Sequence, residues 1–205
     1  MMQARTLHRW LGALMLLPFC AWAITGLIFF LKPGYADAYE LLTLKIYPPN
    51  TNALQPFAAN PDWQSCKLLR TTLGDHLIAQ TREGCTHLDL ATRTPKAQPS
   101  DEEVRRLLEE AIAASPNPAR YGQIVSLSER RATTDTGVRI TLNWECLTVM
   151  QRGNDTDWID RLYKIHYLQL TGSASTDRVI GFMGIVLLLA LNALGLKLLF
   201  VRRAK

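Results

Sequence analysis

The chain alternates between two regimes of patterning. Trp10 to Leu31 runs for 22 residues without a charge, and Val179 to Leu196 runs for 18 more, extended past Lys197 by Leu198–Val201. A bilayer core of roughly 30 Å takes about 20 helical residues at 1.5 Å each, so both runs are long enough to span one. Inside hydrocarbon each backbone amide must find its partner within the segment, which makes both runs helices. Between them the pattern shortens and becomes amphipathic. Trp63 to Thr71, His76 to Thr81 and Cys85 to Leu90 are strand-like runs, separated by Leu73-Gly74-Asp75 and Arg82-Glu83-Gly84, both turn signals.

A different period follows. Ser100 to Glu103 has the form of a capping box, and Val104, Leu107, Leu108, Ala111 and Ile112 recur at helical spacing until Ser115-Pro116-Asn117-Pro118 stops them. Ile124–Glu129, Val138–Trp144 and Leu147–Gln151 are further strand-like runs, divided by Thr136-Gly137 and followed by Gly153-Asn154-Asp155. Trp158 to Leu170 is again helical and amphipathic before Thr171-Gly172 breaks it. Tyr35 to Leu42 reads as one or two helical turns, and the Asn/Pro/Ala-rich stretch from Pro48 to Pro61 as a linker. The expected fold is α+β, with two transmembrane helices flanking an antiparallel sheet and one packed helix. The expected boundaries are a tail over 1–9, spans over 10–31 and 179–201, a domain over 32–178 and a tail over 202–205.

Charge adds the topology. The 205 residues carry 23 basic and 18 acidic side chains. Seven of the basic ones (Arg5, Arg9, Lys32, Lys197, Arg202, Arg203 and Lys205) lie at the ends, where there is no acid. The other 16 share Pro33–Arg178 with all 18 acids, a net of −2. No basic stripe lies on the part that folds, which excludes nucleic acid as a partner. Arg5 and Arg9 before the first run, and Arg202, Arg203 and Lys205 after the second, put both termini in the cytoplasm and the middle outside. The first run has aromatic-rich continuation to Phe30 past Ala21-Trp22-Ala23, which favours a retained helix over a cleaved leader. The expected location is therefore the bacterial inner membrane with a periplasmic central domain, and the expected partner is the lipid bilayer.

Leu7-His8-Arg9-Trp10-Leu11-Gly12, followed by an apolar run ending in Thr25-Gly26-Leu27, resembles the opening helix of PepSY-associated transmembrane proteins. Leu162-Tyr163-Lys164-Ile165-His166, with Gly172 further on, is similar to that family's second signature, a Leu-x-x-Leu-His type turn leading into a later membrane helix. Asp89-Leu90-Ala91-Thr92-Arg93 resembles the D-x-x-T-G strand turn of the extracytoplasmic PepSY fold, with Arg93 in the place of Gly. The resemblance implies a PepSY-like periplasmic domain. Larger relatives carry four spanning helices, and some look like haem-bearing reductases of ferric siderophores, a link to iron metabolism.

His8 and His166 are the candidate cofactor-binding residues. Each reads either as an interfacial anchor or as an axial ligand of b-type haem, since neutral imidazole nitrogen binds iron well. They stand at opposite ends of a helix of more than 20 residues, about 30 Å apart. One iron between them in a single chain is excluded, and a homodimer bringing His8 to His8 and His166 to His166 is the geometry a haem reading requires. His76 and His87 have no Cys or carboxylate cluster at zinc-like spacing, so surface or strand positions are the simpler reading and no metal site is expected. Cys66, Cys85 and Cys146 allow three single pairings, and spacing does not choose among them. Cys66–Cys85, tying neighbouring strands together, is the expected bridge. Gly12, Thr25, Gly26 and Gly195 offer close-packing surface for helix pairing, and Asn192, the lone amide of the second run, is expected to join it. No catalytic residue emerges. The expected function is a non-catalytic accessory or binding module, with a homodimer or another membrane protein as partner. The alternative is a haem-bearing electron-transfer component related to ferric-siderophore reductases, working as a dimeric helix bundle.

Overall fold

A computed structural model describes residues 2–48 and 60–203. Most of the stretch read as a linker lies outside the described residues. The chain divides into two compact units, one of Met1–Tyr35 with Asp157–Lys205 and one of Ala36–Thr156.

The first unit is helical. α1 (Met2–Leu31) continues through Pro18, and α6 (Ala174–Arg203) matches it at 30 residues. Both are long and apolar enough to cross a membrane, over Gln3–Leu31 and Ala174–Phe200. Each helix extends beyond its apolar run, because an α-helix already nucleated in hydrocarbon propagates at little cost into the flanking polar turns. α1 and α6 pack together where small residues let them approach. A Cβ on Gly195 would sit 3.4 Å from His8, and one on Gly184 would meet Leu168 at 3.0 Å and Trp22 at 3.7 Å. α5 (Asn154–His166) supplies the unit's third helix. At the start of α6, the buried Asp177 carboxylate accepts the backbone N–H and hydroxyl of Thr171, at 2.9 and 2.8 Å.

The second unit is α+β, and its strands form two antiparallel sheets. β1 (Ser65–Thr71), β2 (Gly74–Gln80) and β3 (Cys85–Leu88) make a meander in that order. β4 (Ile124–Ser128), β5 (Arg131–Thr134), β6 (Arg139–Asn143) and β7 (Thr148–Arg152) make the other. β5 has no counterpart in the sequence reading. It follows a two-residue hairpin turn in which Glu129 and Arg130 both adopt positive φ, 50° and 63°, the geometry usually marked by Asn-Gly. Two charged residues hide that turn.

α3 (Asp101–Ala114) begins at the expected capping box: Ser100 Oγ accepts the Glu103 amide and the Glu103 carboxylate accepts the Ser100 amide. Its five periodic side chains, Val104, Leu107, Leu108, Ala111 and Ile112, are buried, and the single turn α4 (Pro118–Tyr121) follows it. Each buried leucine is worth about 2 kcal/mol over an exposed one. They meet Ile140, Leu142 and Trp144 in one core, with Ile78 reaching in from the other sheet. A smaller cluster of Leu77, Ala79 and Leu88 lies under Trp63 and Leu90. At Asp89 the expected turn is present: the carboxylate accepts the amides of Ala91 and Thr92, both at 3.0 Å, and Arg93 takes φ 61° where glycine is the usual choice.

The segment after α2 (Tyr35–Ala38) is laid along the domain as a strap. Gln151 on β7 donates to the carbonyls of Ala38 and Glu40, at 3.1 and 3.0 Å, and Thr156 donates to that of Ala38. At the far end the Tyr47 amide bonds the Arg70 carbonyl at 2.8 Å. Leu42 and Leu44 alternate into the core between these anchors.

Candidate functional site

Strand register decides what the three-stranded sheet offers. Lys67 pairs with Ile78, Ser65 with Gln80 and Gln80 with Cys85, so these residues share one face. That face, the strap residues Leu41–Leu44 with Ile46, and Leu147–Val149 at the entry to β7 line a half-open cavity of about 670 Å³. The size is within the ordinary range for small-molecule sites. Its lining is apolar at Leu42 and Leu44 of the strap, Leu69 of β1 and Ile78 of β2, and polar where the β1 start pairs with the β2 end, with Ser65, Lys67 and Gln80. Lys67 has no ion-pair or hydrogen-bond partner among the described residues.

One edge of the cavity is covalent. Cys85 and Cys146 form a disulfide that links β3 to the β6–β7 connection. This corrects the expected Cys66–Cys85 bridge. β2 runs between β1 and β3, and Cys66 pairs with Ala79 while Cys85 pairs with Gln80. The two thiols therefore point to opposite faces and stand two strand spacings apart, about 10 Å, beyond the reach of a disulfide. Cys66 is a free, exposed thiol.

Two residues along from the bridge, on the same face, a hydrogen-bond chain makes a further contact between β3 and the end of β6. His87 Nδ1 lies 2.7 Å from the Trp144 carbonyl, and a carbonyl only accepts, so Nδ1 carries the proton. His87 Nε2 is then an acceptor, and His76 Nδ1, at 2.9 Å, must donate to it. His76 Nε2 in turn accepts the Thr71 hydroxyl at 2.7 Å, and the Thr71 oxygen takes the Leu73 amide at 3.1 Å. Every tautomer is fixed, and both rings are neutral. Burial pushes the His76 pKa from 6.5 down to about 3, helped by the nearby Lys96 cation. Burial also lowers that of His87, against the opposing pull of the Trp144 carbonyl. His76 is fully buried and His87 nearly so; of the surface or strand positions expected from the sequence, both take the strand, on β2 and β3. The sequence does hold a trace of this arrangement. Cys85 and His87, like Trp144 and Cys146, are two apart, which is the same-face spacing of a strand.

In the first unit His166 is held just as specifically. The Thr25 hydroxyl donates to the Ala21 carbonyl at 2.6 Å, leaving its oxygen to accept His166 Nδ1–H at 2.8 Å. Trp22 Nε1–H donates to the His166 carbonyl at 2.7 Å, and Phe29 stacks on Tyr163 and makes a T-shaped contact with His166. In the neutral ring this leaves the lone pair on Nε2. His8, packed at Gly195, has a buried Nδ1 without a partner among the described residues. Thr25 and His8 are 17 positions apart on α1, about 25 Å, so the structure keeps the two histidines separate.

Of the residues expected at the helix pairing, Gly12 faces Leu191, Thr25 is buried and Gly195 faces His8. Gly26 opens onto free space and Asn192 is exposed, so neither packs against its neighbour helix. The reason is angular: Asn192 sits about 100° around the helix from Leu191, off the α1 face. Among the described residues no three His, Cys, Asp or Glu side chains converge as a metal site.

The sequence model of the PepSY-associated TM region family matches residues 5–205. No curated protein and no solved structure matches the chain.

Proposed function

We propose that this chain, which belongs to the PepSY-associated TM region family, is a two-pass inner-membrane protein that works as a non-catalytic binding module. In this reading its central unit lies in the periplasm and takes a small ligand with an apolar body and an anionic head. The observation that carries it is the cavity between the two sheets, greasy at Leu42, Leu44 and Ile78 and cationic at Lys67, which has no partner among the described residues. The Cys85–Cys146 disulfide supports a periplasmic location, since such bonds persist in oxidising compartments. So does the basic surplus at the chain ends.

Fluorine NMR of a fluorinated octanoate, titrated against the full chain in lipid nanodiscs, tests the ligand class. Line broadening beyond that of empty nanodiscs is expected, reduced by Lys67→Glu and by Ile78→Trp, which fills the cavity. Equal broadening with and without the protein overturns the reading. Topology has its own check. A membrane-impermeant maleimide applied to intact spheroplasts labels Cys66 if the central unit is outside, and leaves it untouched otherwise.

One observation favours a second reading, a b-type haem electron-transfer component working as a dimeric bundle. Thr25 fixes His166 as the Nδ1–H tautomer, the form in which Nε2 is the ligating atom. His8 and His166 each fit an iron by donor chemistry, but not as a pair within one chain. Two copies are needed, joining like histidines. Haem, when bound, would supply one-electron transfer; Thr25 orients the His166 imidazole. A Soret band in the purified full chain, lost in His8→Ala and His166→Ala, supports this reading, and a colourless preparation from haem-replete cells overturns it.

A further inference from the structure

We infer that α6 associates with α6 of a second copy of this chain through Asn192. Phe182, Ile185, Leu189, Asn192, Leu196 and Leu199 recur along α6 at alternating intervals of three and four residues. All six are exposed, the five apolar ones by 52–66%. The α1-facing side of α6 is a separate stripe that contains Gly184, Leu191 and Gly195. A three–four repeat averages close to 3.5 residues per turn, the spacing that keeps one helical seam against a partner at a shallow left-handed crossing.

Asn192 identifies that partner. It lies inside the uncharged run Val179–Leu196, between four and five residues from its centre, about 7 Å along the axis, and takes no hydrogen-bond partner among the described residues. At that depth neither water nor a lipid headgroup reaches an amide, and leaving it unpaired in hydrocarbon is costly. A primary amide is its own complement, since Nδ2 donates and Oδ1 accepts. A second copy inserted with the same topology brings an identical amide to the identical depth, and two-fold symmetry lets each side chain donate to the other. An unrelated membrane protein has no such guarantee of depth. The same residue would set the register of the pairing, as a lone polar position does within an apolar seam.

The inference rests on α6 spanning the bilayer, so the test separates the two. Full chain carrying Cys20→Ser is labelled at Cys66 with donor or acceptor dye, reconstituted in phosphatidylcholine liposomes and followed by energy transfer against protein-to-lipid ratio. Transfer is expected to rise with that ratio. Asn192→Leu is expected to move the midpoint to about 3- to 30-fold higher protein fraction, the range of one interhelical hydrogen bond in lipid. Asn192→Gln stays nearer the unsubstituted protein. As a second readout in a Cys20→Ser, Cys66→Ser background, Leu189→Cys cross-links on oxidation and Leu188→Cys does not. Equal midpoints for Asn192→Leu and the unsubstituted chain, or cross-linking at both positions alike, overturn the inference. A chain that carbonate washing strips from the liposomes overturns the spanning reading together with it. A chain that stays embedded and transfers no energy overturns the inference alone.

Discussion

His76 donates its Nδ1–H to His87 Nε2 at 2.9 Å inside the protein, between two rings that burial keeps uncharged. The relationship makes stability depend on pH in one direction. Below 6.5 the unfolded chain binds protons at these imidazoles, while folded His76 takes one only near 3. The contribution is therefore complete above pH 6.5 and is lost as the pH falls from there towards 3. Denaturant unfolding of the full chain, read by Trp144 near-UV circular dichroism, should show stability falling through this window. His76→Leu should flatten that slope. It should also lower stability at neutral pH by about 1–3 kcal/mol, because His87 Nε2 is left buried without its donor.

The Cys85–Cys146 bridge closes a separation of 61 residues. On the chain-entropy argument a loop of that size is worth about 4 kcal/mol. The double substitution Cys85→Ser, Cys146→Ser should lower unfolding free energy on that order. It should also abolish the shift between reduced and oxidised bands on a denaturing gel. Cys66→Ser should leave both measurements unchanged; a lost shift in that variant means the thiols pair otherwise.

Glu129 occupies the first central position of the β4–β5 hairpin at φ 50°, a conformation that Asn adopts far more readily. Glu129→Asn should stabilise the domain by about 0.5–1 kcal/mol, visible as a raised thermal midpoint. No gain, or a loss, would mean that this turn does not hold the pairing of β5.

Thr25 and His166 give a prediction independent of any cofactor. Nitrogen NMR of the imidazole should report the Nδ1–H tautomer for His166 in the unsubstituted protein. Thr25→Val removes the acceptor while keeping the shape, and should yield a mixture of tautomers. An Nε2–H form in the unsubstituted chain would remove the orientation on which the haem reading depends.

Whatever depends on local composition and period was legible along the chain. Two uninterrupted apolar runs must be helices in lipid because nothing there can satisfy an open backbone, and that follows from counting along the chain. The capping box at Ser100 and the five buried side chains of α3 are equally local, as are the β2 and β3 runs bounded by glycine. Tertiary structure decided everything that depends on which face and which neighbour a residue receives. The order β1-β2-β3 separates Cys66 from Cys85 and delivers Cys85 to Cys146. The same order buries His76 and His87 together under Trp144. β5 escaped because its turn is built from Glu129 and Arg130, whose identities carry no turn signal. The angle of Asn192 around α6, away from α1, was likewise fixed only when the two helices chose their contact faces. Such choices belong to long-range packing, in which a rotation of 100° or a shift of one strand position exchanges inside for outside.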